Sequence, residues 1–353
     1  MMALFKYCGS LILLISLLSA ESYWVSYGWQ LFRNVGDAQS IALGGMQPAQ
    51  VGTAVAPLYN PAASIFVGEH SLTYAHQSRL GGMINSDLLG FTIKPRLRPL
   101  NIIFLYEGIG QIPDTKNMLF DFGLDGIPGT GDEGENNGIL DEGERLDQSR
   151  IEFFSQNQWG LHVSSAIQMQ KWIIGLGVKG FSHNIGHNQG LGIGLDLGFM
   201  LIPWNGGRIG LTFKDITTSW LIWDNGTIER EKPEVYAGLS QIVNLKSIPV
   251  SIKYLGSFEI NPFGLQADED FGLAGRGITL RLGLNISFRE KITFRLGRNR
   301  QGSATGGLGL IWDNFGLDYA FQSEPAGSGL GGSHYISFKV SPDWLKKLID
   351  SLD

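Results

Sequence analysis

The chain has 353 residues, 49 of them glycine, with 17% charged residues and a formal net charge of -6. That mild acidity, with no basic run, excludes a nucleic-acid partner. Mean hydropathy is near zero, and only the first twenty residues carry an apolar block, so a bundle of membrane helices, each needing roughly 20 apolar residues, is excluded as well.

In chain order, residues 1–20 read as a secretory signal peptide. Lys6 gives the positive n-region, Leu11 to Leu18 the apolar core and Leu18-Ser19-Ala20 the cleavage site. Cys8, the only cysteine, falls inside it, so the exported chain is expected to work without thiols or disulfides. Residues 21–69 form an N-terminal plug or hatch segment. Its first part is aromatic and irregular. Residues 36–66 are rich in small residues and predict a short helix and then a turn at Tyr59-Asn60-Pro61. Asn60, Pro61 and Ala62 suit a turn that caps the plug, because Asn favours turns and Pro fixes φ.

From Ser71 onward period-two alternation takes over. In Gly275 to Arg289, Ile278, Leu280, Leu282, Leu284, Ile286 and Phe288 share one face, and Thr279, Arg281, Asn285 and Ser287 share the other. Such a strand has one oily and one wet face and exceeds the roughly 9–11 tilted residues that cross a bilayer. The pattern predicts strands over 70–79, 82–94, 99–110, 150–168, 171–184, 189–202, 207–216, 232–243, 249–258, 275–289, 291–299, 304–313, 315–323 and 333–340. The fold class is therefore all-β: a transmembrane antiparallel β-barrel of about 14 strands over 70–340, with a small N-terminal plug segment and a short C-terminal helix. With the N-terminus in the periplasm, the long connections 111–149, 217–231, 259–274 and 324–332 face outward and the short ones inward, as in outer-membrane barrels. Asp196, Lys171, Lys179, Arg281, Arg289 and Arg295 fall on the inward faces, where charge avoids lipid. Glycines on those faces leave room for a plug or a narrow cargo path, or else relieve strand twist. Trp172, Trp204, Trp220, Trp223 and Trp312 near strand ends fit aromatic girdles.

The connection 111–149 is acidic and glycine-rich. Asp121, Asp125, Asp132, Glu133, Glu135, Asn137, Asp141 and Glu144 are its candidate metal ligands. Calcium takes 6–8 oxygens, and close-spaced carboxylates on a Gly-rich turn supply them. From Asp121 the EF-hand template finds Asp125, Gly126 and Asp132 at positions 5, 6 and 12 but Gly123 at 3; from Glu133, a Glu in place of Asp at position 1, it finds Glu135, Asn137, Gly138 and Glu144 at 3, 5, 6 and 12. Bound Ca2+ in the 121–144 loop is the expectation. His183 and His187 are expected to flank an outer turn and face solvent. No Ser/His/Asp set has workable spacing and the Gly-x-Gly runs lie in strands without a following helix, so no enzyme is expected. The tail 341–353 predicts a short amphipathic helix, N-capped by Ser341, with Trp344, Leu345, Leu348, Ile349 and Leu352 on one stripe.

Three segments resemble the PorV/PorQ family of outer-membrane proteins, related to FadL-type barrels. They are Gly36-Asp37-Ala38 through Leu43-Gly44-Gly45 with Leu58-Tyr59-Asn60-Pro61-Ala62-Ala63; Lys214-Asp215-Ile216-Thr217-Thr218 with Trp223-Asp224-Asn225-Gly226 and Lys232-Pro233; and His334-Tyr335-Ile336-Ser337-Phe338. The chain has Ala54-Val55-Ala56-Pro57 where that family commonly carries acidic residues. The resemblance implies an outer-membrane accessory of type IX protein secretion and surface attachment, with secretion-system proteins and secreted cargo as partners. The alternative is a FadL-like transporter of hydrophobic small molecules, and the third a structural or adhesive surface barrel. All three place the chain against outer-membrane lipid with both termini periplasmic.

Overall fold

The computed structural model describes residues 29–45, 47–68, 71–93, 98–245, 247–262, 270–273, 276–324, 329–340 and 344. The alternating segments form fourteen antiparallel strands: β1 Leu72–Arg79, β2 Ile84–Ile93, β3 Leu100–Asp114, β4 Glu152–Met169, β5 Trp172–Ile185, β6 Asn188–Leu201, β7 in two segments Gly207–Lys214 and Ser219–Trp223, β8 in two segments Ile228–Glu231 and Glu234–Asn244, β9 Val250–Asn261, β10 Arg276–Phe288, β11 Ile292–Arg298, β12 Ala304–Trp312, β13 Phe315–Gln322 and β14 Ser333–Val340. β1 pairs with β14 from Leu72↔Val340 to Ser78↔His334, which closes the ring. Closure removes the unpaired edges that a sheet cannot leave open in hydrocarbon. No described helix is long and apolar enough to cross a membrane.

The outward face confirms the assigned phase. Ile193 and Leu296 are 60% and 63% exposed, while the intervening Asp196, Lys179, Arg281 and Arg295 are buried inside. Lys171 and Arg289 depart from the expectation: both sit exposed in tight turns instead of facing the lumen. The turn between β10 and β11 needs left-handed backbone at Arg289 and Glu290, with φ of 50° and 57°, and this places their side chains in solvent at the rim.

One expected loop is not a loop. Residues 217–231 are read from sequence as an outer connection, yet β7 continues to Trp223, turns over 224–227 and returns as β8. The ladder is interrupted in between. β6 pairs Leu197↔Phe213 and then Ile193↔Trp220, so four steps along β6 face seven along β7. The surplus is the bulge Asp215–Thr218, matched on β8 by Lys232-Pro233. Both strands therefore bend in mid-wall, as bulged strands do.

Inside the barrel lies the plug. It runs through α1 Gln30–Asn34, α2 Ala38–Ala42, α3 Ala56–Tyr59 and a 3-10 turn Pro61–Phe66. Asp37 caps α2 by accepting from Ser40 N at 2.9 Å. The expected signal peptide lies outside the described residues, as does the C-terminal helix apart from Trp344, whose ring meets Phe315 edge-on at 4.8 Å.

Candidate functional site

The site is the lumen where plug and wall meet. Asn60 is fully buried. Its Oδ1 accepts from Ala62 N at 3.0 Å, and its Nδ2 donates to Pro48 O at 2.7 Å and to Phe199 O on β6 at 3.1 Å. The expected turn cap is thus also a tether to the wall. A Cβ on Gly175 would lie 2.3 Å from Ala62 N, and one on Gly198 would lie 2.0 Å from Asn60 Oδ1. Gly210 and Gly283 meet the backbone of Pro48 and Leu43 in the same way. Of the two roles left open for the inner glycines, close approach of the plug is the one seen at these four positions.

Inward polar side chains bind the backbone of the plug. Gln77 donates to Gly36 O at 2.8 Å, Asn101 to Ala54 O at 2.9 Å, Ser240 to Ala49 O at 3.1 Å and Thr305 to Ala42 O at 3.1 Å. Ser337 Oγ accepts from Ala38 N at 2.6 Å, and the Ser64 and Ser164 hydroxyls lie 3.1 Å apart. A plug that is mostly irregular leaves many backbone groups without ladder partners, and the wet face of the strands supplies them.

Charges clamp the plug on both sides of the wall bulge. On the β8 side, Arg33 pairs with Glu231 and Glu234, which flank Lys232-Pro233. Burial opposes the charge on Arg33, but the Glu234 and Glu231 carboxylates outweigh it and hold the guanidinium above its ordinary range. On the β7 side, buried Lys179 lies 3.1 Å from Asp196 and 2.7 Å from Asp215 in the bulge. The same ammonium sits 5.4 Å from the ring centroids of Trp29 and Phe32 of the plug.

The inner wall is not polar throughout. Leu88, Ile103, Leu105, Phe181, Leu221 and Trp223 face inward and form one cluster with Trp29, Leu31, Phe32 and Leu58 of the plug. Two sequence expectations are corrected here. Trp223 belongs to this cluster, not to a girdle, whereas Trp172, Trp204, Trp220 and Trp312 are exposed. His183 is buried, with its ring 5.1 Å from that of Trp223; only His187 lies exposed in the turn. A readable signal existed: Ile102-Ile103-Phe104-Leu105 on β3 is an unbroken apolar run, the mark of a strand covered on both faces.

The acidic loop begins later than expected, at 115, because Ile112 to Asp114 still pair with β4 beyond a register shift, and it folds on itself over a two-residue ribbon, Leu119–Phe120 with Arg145–Leu146. Its carboxylates accept backbone N–H groups. Glu144 takes Gly123 N at 3.0 Å and Asp141 N at 2.9 Å, Asp132 takes Asp125 N at 2.8 Å, and Asp121 takes Gly138 N at 2.7 Å. Glu135 accepts from Gly129 and Gly131, and Asn137 donates to Asp141 at 2.8 Å. Glu133 contributes its carbonyl, to Leu124 N at 3.1 Å. Hydrogen bonds from the Ser149 hydroxyl and N–H hold the Asp147 carboxyl below its usual range. Among the described residues, no three His, Cys, Asp or Glu side chains converge on a metal position.

No family model matches the chain, and no curated protein matches it. Solved structures do. The Ralstonia pickettii toluene transporter TbuX superposes with a TM-score of 0.50 at 14% identity, over 87% of this chain and 98% of that one. The P. putida toluene transporter TodX does so with a TM-score of 0.52 at 10% identity, over 88% and 99%. A Pseudomonas aeruginosa FadL homologue gives 0.42 at 11% identity, over 84% and 95%. At such identities the likeness to TbuX and TodX establishes the shared barrel fold.

Proposed function

We propose that this chain is an outer-membrane transporter of hydrophobic small molecules, with no enzymatic step. The observation that carries the reading is the apolar sector of the inner wall, with Leu88, Ile103, Leu105, Phe181, Leu221 and Trp223 meeting the apolar side of the plug. A lumen built for water is lined with polar groups. Displacing this plug would bare a surface suited to an apolar solute, at a cost that an incoming apolar solute offsets by covering the same surface. The bulged β7–β8 pair adds a place where the ladder is already interrupted beside that surface. TbuX and TodX are named as toluene transporters, and this favours transport over the PorV/PorQ-like secretion role, which shares only the barrel and plug with the present proposal. Outer-membrane lipid and a hydrophobic solute are the partners it implies.

The test is uptake of radiolabelled toluene by outer-membrane vesicles with and without the full chain. Faster equilibration with the protein is the expected result. Equal rates in the two preparations would sink the proposal.

A further inference from the structure

A concave groove of about 650 Å³ crosses the outer, lipid-facing side of the wall. It follows one row of paired positions through six strands: His76↔Asp87, Asp87↔Tyr106, Tyr106↔Trp159, Trp159↔Ser182 and Ser182↔Leu191. Its floor is Gly180, where an added Cβ would meet nothing within 4 Å. Leu89, Phe104, Leu161 and Leu191 give it apolar sides. The volume lies within the roughly 300–1,000 Å³ usual for ligand sites.

The row also holds a carboxylate on the outward face. Asp87 Oδ1 accepts from Tyr74 OH at 2.6 Å and lies 2.9 Å from His76 Nδ1. Asp87 is paired with Tyr106, whose ring is 4.5 Å from that of Trp159. A carboxylate facing a bilayer is costly unless something meets its charge. On this wall the Tyr74 hydroxyl and the His76 ring meet it from β1, and Tyr74, Tyr106 and Trp159, which line the groove with it, are residue types that attract an ammonium by cation–π interaction. Aromatic residues of this kind mark the interfacial level of a barrel, where head groups lie. Polar recognition at that level, continuous with apolar sides and a glycine floor, suits an amphiphile.

We infer that this groove binds a bilayer lipid with an ammonium head group. The ammonium lies between the Asp87 carboxylate and the aromatic rings of Tyr106 and Trp159, and one acyl chain lies along Leu89, Phe104, Leu161 and Leu191 over Gly180. An anionic head is disfavoured by like charge at Asp87. The site lies on the outside of the wall and does not depend on what the lumen carries.

The test is native mass spectrometry of the full chain in detergent, titrated with dioleoylphosphatidylethanolamine or dioleoylphosphatidylglycerol, which carry the same acyl chains. The wild type should retain one phosphatidylethanolamine with a preference of about tenfold, the scale of a partly desolvated cation–π contact. Asp87→Asn should abolish the preference. Gly180→Phe should abolish retention of both lipids, and heat-modifiable gel mobility verifies that each variant is a closed barrel. Equal retention of the two lipids by the wild type overturns the inference, as does a preference for the glycerol head or unchanged retention in Gly180→Phe. Should Asp87→Asn fail to assemble, the head-group comparison on the wild type and Gly180→Phe still decide.

Discussion

Arg33 carries more of the plug's attachment than its place in a five-residue helix suggests. It pairs with Glu231 and Glu234 at once, so removing it takes the Arg33 guanidinium from two neighbouring carboxylates, both largely buried. Breaking a buried ion pair costs roughly 3–5 kcal/mol; Arg33 is about a quarter exposed, which points to the lower end. Arg33→Met is therefore expected to lower stability by about 3 kcal/mol and to speed proteolysis of the plug in the folded barrel. An unchanged unfolding midpoint together with unchanged plug proteolysis would show that the clamp is not formed. Thr218 makes a second case at this scale. It is β-branched and sits at φ 64°, a region that costs such residues roughly 1–2 kcal/mol. Thr218→Gly should stabilise the barrel by about 1 kcal/mol, read as a rise in denaturant midpoint; a fall would mean that the bulge is not strained. Neither role was legible in the sequence. Arg33 stands in an irregular aromatic stretch, and left-handed backbone at Thr218 has no composition signature. Asn60-Pro61-Ala62 was legible as a cap, because the cap acts on residues next to it in the chain.

Among the elements, the acidic loop and the bulge behave oppositely under sequence reading. The loop's composition was plain, although β3 continues four residues past the expected start of the loop, to Asp114, and its carboxylates are spent on the amides of the loop itself. Calcium uptake there would exchange those amide contacts for metal–oxygen bonds and tighten the loop. The expected outcome is greater protease resistance of residues 115–147 on adding calcium. Isothermal titration showing no uptake at millimolar calcium would remove the site. The bulge was missed because Asp215–Thr218 contains turn-forming residues that break alternation, and a break in alternation reads as the end of a strand. Only pairing to β6 on both sides of it, Leu197↔Phe213 and Ile193↔Trp220, shows that the strand resumes.

For the molecule as a whole, the proposed transport predicts that the plug moves against the wall. Ser64 of the plug and Ser164 of β4 place their hydroxyls 3.1 Å apart, so Ser64→Cys with Ser164→Cys, in a Cys8→Ser background, can lock the two together. Oxidation should cut solute uptake about tenfold, and reductant should restore it; a drop of that size corresponds to about 1.4 kcal/mol on the barrier. Uptake that ignores the crosslink would mean that the plug stays in place while solute passes. Apart from the segments of β7 and β8 beyond the bulge, alternation of side chains determined the strands, their number and the face turned to hydrocarbon, because extended backbone sends successive residues to opposite sides whatever surrounds them. The tertiary structure alone decided what the other face meets. Leu88, Phe181 and Trp223 lie on that inward side with Lys179 and Asp196, and that Phe181 and Lys179 meet Trp29 depends on a segment far away in the chain arriving inside the closed ring.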